Sequence, residues 1–231
     1  MVIHGLQKLT LLDYPGHTAC TVFTAGCNWR CPFCHNASLV LRGAEQPVIP
    51  EEEFFAFLGK RRGLLDGVAV TGGEPTLQPD LPAFLGRVKA LDFEVKLDTN
   101  GTRPAVLRTI LAEGLADYVA MDIKAGRANY GAVTGTLDPG LAAVEESVAL
   151  LKESGVAHEF RTTVVRELHS EADFADIADW LAGEERYFLQ AFKDSGDLIH
   201  AGYSGCTAEE MEWYLALVRV RIPGAALRGV E

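Results

Sequence analysis

Three of the five cysteines, Cys27, Cys31 and Cys34, fall within eight positions of a 231-residue chain. Thiolates are soft ligands, and spacings of three and two intervening residues let one loop wrap a compact metal centre from one side. A structural zinc site would want a fourth protein donor. The nearest nitrogen, His35, is adjacent to Cys34 and awkwardly placed to join the same tetrahedron. The spacing thus favours an iron-sulfur cluster held by three cysteines, with zinc and redox-active thiols as the rivals. One iron would then lack a protein ligand and stay open for chemistry, as the fourth position of a catalytic zinc does. Cys20 lies in an apolar run and reads as a small buried residue, while Cys206 sits in a Gly-Cys-Thr loop with no partner at ligand spacing.

Three further polar motifs follow apolar, β-rich runs: Gly72-Gly73-Glu74-Pro75, Asp98-Thr99-Asn100-Gly101 and Asp122-Ile123-Lys124. Each has a plain structural reading as a turn, since glycine, asparagine and aspartate are ordinary turn residues. Lys124 lies two residues after Asp122 and so shares its strand face, where it either neutralises a carboxylate or is simply exposed. Arg161 sits inside an apolar run, where an unpaired guanidinium would be costly to bury, so it requires a carboxylate partner from protein or cofactor.

The elements that must carry these motifs alternate. Strand-like runs at 19–24, 67–71, 93–98, 118–123, 159–165 and 187–192 are short, apolar and rich in β-branched or aromatic residues. Between and after them, 51–62, 81–91, 104–113, 141–154, 172–182 and 208–218 carry apolar residues at three- and four-residue spacing. Such alternation implies right-handed crossovers and a mainly parallel sheet buried on both faces. Six units are too few for a closed eight-strand barrel, so the preferred fold is α/β, a partial (β/α)6 barrel, with a flat doubly wound sheet as the alternative. Either places a site at the C-terminal ends of the strands, where the cysteine loop and the three polar motifs indeed fall.

A single domain over 1–231 is the expectation, with a core at about 18–192, an extended N-terminal piece at 1–17 and a helical tail at 193–231. The chain has 21 Lys and Arg against 32 Asp and Glu, a net charge of -11, which argues against nucleic acid or anionic lipid as partner. No run reaches the roughly 18 apolar residues of a membrane span, and no basic-then-apolar signal opens the chain. A cytoplasmic location with no membrane partner is the default.

With Cys27-X3-Cys31-X2-Cys34, Phe33 before the last cysteine and Gly72-Gly73-Glu74 after the next strand, the sequence resembles the radical S-adenosylmethionine superfamily. The resemblance implies a [4Fe-4S] cluster on the three cysteines and S-adenosylmethionine chelated to the open iron, cleaved on reduction to a 5'-deoxyadenosyl radical. It also implies cofactor roles: Gly72 and Gly73 beside the methionine moiety, Glu74 accepting from its ammonium, and Asp98 and Asn100 at the ribose. Phe33 would pack on the adenine or shield the cluster. Lys124, Arg161 and Gln190 would face the same mouth, and Asp98 with Asp122 would hold a small cation. Trp29, His35 and Asn36 would surround the cluster.

Within the superfamily, Gln7-Lys8-Leu9-Thr10-Leu11-Leu12-Asp13-Tyr14-Pro15-Gly16 and Cys34-His35-Asn36 resemble the activating proteins of glycyl-radical enzymes. The nearest are the long-form anaerobic ribonucleoside-triphosphate reductase activators, with the pyruvate formate-lyase activating enzymes close by. This implies a glycyl-radical enzyme, such as anaerobic ribonucleotide reductase, as partner and a low-potential flavodoxin or ferredoxin as electron donor. The chain departs from activators that carry a cysteine-rich insert, since no cysteine lies between Cys34 and Cys206. The alternatives are a small-molecule radical enzyme such as 7-carboxy-7-deazaguanine synthase, which shares the cysteines and the Gly-Gly-Glu turn, and a non-catalytic iron-sulfur or zinc protein.

Overall fold

The computed structural model of the protein describes residues 1–194 and 196–230. Along the chain run β1 (Gly5–Thr10), β2 (Ala19–Thr24), α1 (Ala37–Leu41), α2 (Glu51–Gly59), β3 (Gly67–Gly72), α3 (Leu81–Lys89), β4 (Glu94–Thr99) and α4 (Pro104–Ala112). They are followed by β5 (Tyr118–Asp122), α5 (Tyr130–Thr134), α6 (Leu141–Ser154), β6 (Ala157–Val164), α7 (Glu171–Trp180), β7 (Tyr187–Ala191), α8 (Ala208–Arg219) and β8 (Ala226–Arg228). The strands lie in the sheet in chain order, β1 to β8. The β1–β2 pair is antiparallel, whereas β2–β3–β4 and β6–β7–β8 are parallel. The expected α/β fold with mainly parallel strands is the one observed. Sequential order belongs to a singly wound sheet of barrel type and removes the doubly wound alternative, whose strand order reverses at a switch point.

The chain divides into two compact units, and each is built on its own core. The first comprises Met1–Asn28, Ser38–Ala120 and Ala143–Ala157. Val22, Val68, Val70, Val95 and Leu97 are fully buried in its strands, as are Phe54, Leu58, Leu85 and Val88 in α2 and α3. Helices alternate with these parallel strands, so the strands read as near-continuous apolar runs. Within the extended N-terminal piece expected at 1–17, Gly5–Thr10 form β1, and residues 11–17 are bends and a turn. The Asp13 carboxylate accepts from Thr21 Oγ1 at 2.6 Å, and Tyr14 is buried against Gly67, where a Cβ would come within 2.9 Å of the ring.

The second unit comprises Trp29–Ala37, Met121–Ala142 and the residues from His158 on. Phe160, Val164, Tyr187 and Leu189 are buried in its strands, with Phe174 and Ile177 of α7 and Met211 and Val218 of α8. Burying each such side chain contributes roughly 1.5–3 kcal/mol. The tail expected to be helical holds α8 and then a strand, because β8 adds to β7 and Arg228 reaches the buried Glu159 carboxylate at 2.6 and 2.7 Å. The guanidinium also lies 3.4 Å over the Phe188 ring. Among the described residues, no helix is long and apolar enough to cross a membrane.

Candidate active site

In the first unit, the ends of β2 and β3 meet through their backbones, and the Glu74 side chain ties in the end of β4. Gly73 N donates to Thr24 O at 2.9 Å and Glu74 N to Gly26 O at 2.8 Å. A Cβ on Gly72, whose φ is +119°, would lie 2.3 Å from Thr24 O, and one on Gly73 would lie 2.0 Å from Gly26 O. The two glycines are therefore demanded by the neighbouring strand end, whatever else they contact. Glu74 is buried, and its carboxylate accepts from Thr76 N at 3.0 Å, Thr99 Oγ1 at 2.8 Å, Asn100 N at 2.7 Å and the Thr76 hydroxyl. Burial pushes this carboxyl up, and the four donors oppose that rise. Three of these bonds fall on Oε1 and only the one from Asn100 N on Oε2, so Oε2 keeps a lone pair for a further donor.

Asn100 follows β4 and is buried as well. Its amide donates to Asn28 Oδ1 at 3.0 Å and points to Cys27 Sγ at 3.9 Å, while its Oδ1 accepts from Thr102 N at 3.0 Å and Thr102 Oγ1 at 2.7 Å. This places Asn100 beside a candidate cluster ligand. Asp98 accepts from Lys96, a buried lysine two residues earlier on the same strand face. Lys96 was not among the candidates, although a lysine alternating with apolar residues and ending on an aspartate was a readable signal.

In the second unit, the end of β5 carries a charge cluster. Asp122 accepts from Lys124 Nζ at 2.8 Å and from Arg161 Nε at 2.6 Å, so the partner required by Arg161 belongs to the protein. Burial works to raise the Asp122 carboxyl, but Arg161 and Lys124 hold it well below the usual carboxylate range. Burial likewise works to lower the Lys124 ammonium, yet Asp122 and the Cys31 and Cys34 sulfurs raise it. Gln190 is half-buried in β7, in register with Thr163 of β6 and Arg228 of β8.

The part of the cysteine loop in this unit, Trp29–Ala37, is held at several points. Arg30 N donates to Thr134 O at 2.9 Å, and the buried Trp29 donates its indole N–H to Pro139 O at 3.1 Å. Beyond Cys31, His200 N donates to Pro32 O at 2.9 Å. The His35 ring stacks on Phe192 at 5.2 Å, and buried Phe33 meets the same ring edge-on at 6.3 Å. Burial pushes the Cys34 thiol up and the His35 imidazolium down. Cys20, buried in β2, is pushed up to about 12 by burial and is a core residue, as its setting in the sequence indicated.

The donor set fits an iron-sulfur cluster. Three thiols are offered, and Lys124 supplies a fixed positive charge beside two of them, favouring the thiolates that a metal requires. Among the described residues, no three His, Cys, Asp or Glu side chains are placed to hold a metal ion. A cubane asks for no such convergence, since each cysteine binds a different iron. The small cation expected beside Asp98 and Asp122 finds no support, because each carboxylate already has a cation of its own chain: Lys96 for the first, Lys124 and Arg161 for the second.

Comparison with known proteins adds three likenesses and one family. The family model described as the Radical SAM superfamily matches residues 21–181. A protein of Methanocaldococcus jannaschii named for glycyl-radical enzyme activation is 34% identical over 205 residues, spanning 85% of this chain and 82% of its own. A 7-carboxy-7-deazaguanine synthase of Thermococcus kodakarensis is 30% identical over 164 residues, 62% of each chain. A solved domain of pyruvate-formate lyase-activating enzyme from Bacteroides vulgatus matches with a TM-score of 0.58 at 17% identity, over 71% of this chain and 99% of that one. This last likeness bears on the fold alone.

Proposed function

The chain belongs to the radical S-adenosylmethionine superfamily, and from that premise we propose that it is an activating enzyme that installs a glycyl radical on a partner protein. The likeness to the Methanocaldococcus jannaschii protein, along most of both chains, carries this reading. In it, Cys27, Cys31 and Cys34 would hold a [4Fe-4S] cluster, with S-adenosylmethionine bound beside it. When bound and given one electron by the donor, these groups would supply radical chemistry that abstracts hydrogen.

The protein's own residues then have distinct tasks. Lys124, kept protonated by Asp122, holds positive charge beside Cys31 and Cys34 and offsets the anionic thiolates. Asn100 directs its amide toward Cys27, a contact of the kind that tunes cluster potential. Glu74 ties the turns after β3 and β4 together, so that the Gly72-Gly73 backbone is presented in one geometry to the methionine moiety. Asp98 lies at the end of β4, where a ribose would be met, and Phe33 shields the cluster beside Phe192. Arg161 and Gln190 complete the polar face beyond β5, Arg161 by fixing Asp122.

Anaerobic ribonucleotide reductase is the proposed partner, supported by the Gln7 to Gly16 segment, by Cys34-His35-Asn36 and by the lack of a cysteine-rich insert. A low-potential flavodoxin or ferredoxin is the proposed donor. A small-molecule radical enzyme is the second reading, favoured by the likeness to the deazaguanine synthase.

Anaerobic reconstitution with iron and sulfide, reduction, and incubation with S-adenosylmethionine and purified anaerobic ribonucleotide reductase test the proposal. Expected are 5'-deoxyadenosine and a glycyl EPR signal on the reductase. Cleavage without that signal removes this partner, and the signal's absence from every glycyl-radical enzyme offered moves the assignment to the small-molecule reading. A parent chain that takes up no more iron than the triple Cys27→Ala, Cys31→Ala, Cys34→Ala variant overturns the cluster itself.

A further inference from the structure

The cysteine loop is seated on a segment about a hundred residues away in sequence, and one glycine there controls the seat. Helix α5 is stopped by Gly135, at φ +66° and ψ +32°, whose N–H turns back to Ala132 O and Gly131 O. Thr136 N closes the same turn on Gly131 O at 3.1 Å. This left-handed stop explains a glycine but does not require one, since asparagine is also used there. The second demand comes from the loop. A Cβ on Gly135 would lie 2.2 Å from Arg30 O and 2.9 Å from Arg30 C, both backbone atoms that no side-chain rotation can move.

Just before that contact the loop is pinned to residues on either side of Gly135, by Arg30 N to Thr134 O and by the Trp29 indole to Pro139 O. Trp29 also packs edge-on against Tyr130 of α5 at a centroid distance of 5.7 Å. The approach of the two backbones at Gly135 is what allows both bonds to form, because a methyl group there would push Arg30 away. Cys31 follows Arg30 directly.

We propose that Gly135 is a positioning residue for the iron-sulfur cluster: the missing side chain lets the backbone of Arg30 dock, and that docking fixes where Cys31 presents its sulfur. The proposal rests on the reading that Cys27, Cys31 and Cys34 hold a cluster. It concerns the chain's own loop, and its effect is on cluster uptake and retention.

Gly140 provides an internal control. It has nearly the same backbone conformation, φ +67°, but a Cβ there would meet nothing within 4 Å. Gly140→Ala therefore introduces the left-handed strain alone, and Gly135→Ala introduces the same strain plus the collision with Arg30. The full-length parent and both variants are reconstituted anaerobically with iron and sulfide and desalted. Iron and acid-labile sulfide per chain, the EPR spectrum of the reduced cluster and thermal unfolding of the metal-free chains are then compared.

Expected is parent-like loading for Gly140→Ala. For Gly135→Ala, loading should fall at least threefold, or the residual reduced cluster should show a shifted EPR spectrum. Parent-like loading and spectrum in Gly135→Ala overturn the proposal, as does an equal loss in Gly140→Ala, which would make backbone strain the whole cause. Should Gly135→Ala fail to fold, Trp29→Phe removes the indole donor to Pro139 O, and part of the packing on Tyr130, while leaving Gly135 in place. Cluster loss to a chelator should then run at least threefold faster than in the parent, and an unchanged rate overturns the proposal. A parent chain that binds no cluster is a different result, since it sinks the cluster reading before any variant is compared.

Discussion

Replacing Glu74 by glutamine should destabilise the protein even when no cofactor is present. The carboxylate is 1% exposed and accepts four bonds, two of them from backbone N–H groups, Thr76 N on one oxygen and Asn100 N on the other. A glutamine amide has only one acceptor oxygen, so whichever way it is turned, its NH2 faces one of these donors. The Thr76 and Thr99 hydroxyls can rotate to accept from that NH2, but a backbone N–H cannot turn away. One buried donor is thus orphaned, at about 1–3 kcal/mol, and the remaining bonds lose their charge assistance, for a total of about 2–4 kcal/mol. Glu74→Ala orphans both backbone donors and should cost roughly 4–6 kcal/mol by the same reasoning. Urea unfolding of the metal-free chain at neutral pH measures both, with hydrogen exchange at the Asn100 and Thr76 amides as a local readout. Glu74→Gln within about 0.5 kcal/mol of the parent, with both amides still protected, would refute the internal tie and return Glu74 to a role exercised only on a ligand.

Other outcomes follow from the same geometry. Asp122 has a folded-state pKa below its ordinary value of 3.8, so the stability it contributes is complete above that pH and is lost as the pH falls below it. Asp122→Asn should lower stability at pH 7 by about 2–4 kcal/mol, because Lys124 and Arg161 lose their counter-charge, and should flatten the acid limb of a stability-against-pH curve. An unchanged acid limb would count against this. Arg228→Met removes both guanidinium bonds from the buried Glu159 carboxylate and should cost about 3–5 kcal/mol in chemical unfolding, with much of the loss recovered in the Glu159→Gln, Arg228→Met double variant. No recovery in the double variant would show that the arginine acts by packing on Phe188. Gly73→Ala must move the end of β2, since its Cβ would lie 2.0 Å from Gly26 O, and should cost at least about 1–3 kcal/mol by thermal unfolding. A parent-like melting temperature would disprove that the close approach is required.

The alternation of apolar runs with amphipathic ones, and the polar residues at the ends of the former, were written in the sequence. Local composition decides strand and helix, and a mainly parallel sheet follows from the crossovers such alternation forces. The cysteine loop, Gly72 to Glu74, Asp98 to Asn100, Asp122 and Lys124 could be picked out for this reason, and so could the need of Arg161 for a carboxylate. The edge strands β1 and β8 were less legible, because β1 (GLQKLT) is mostly exposed or half-buried and not an apolar run, and β8 has three residues and is completed by β7 and by the ion pair of Arg228 with Glu159.

Partners were decided by the tertiary structure alone. Chemistry in the sequence shows that Arg161 needs an anion, but only the register of β6 beside the end of β5 delivers Asp122 and leaves that carboxylate no need of a small cation. Gly72 and Gly73 read as close backbone approach to a ligand, and the structure adds a second demand for glycine there, from the backbone of Thr24 to Gly26. Gly135 and Phe192 carried no signal, since neither a helix-ending glycine nor a strand-ending phenylalanine announces the loop it will touch. Spacing along a chain fixes which groups can act as ligands; where those ligands are held is set by contacts between residues far apart in sequence, and these exist only once the chain is folded.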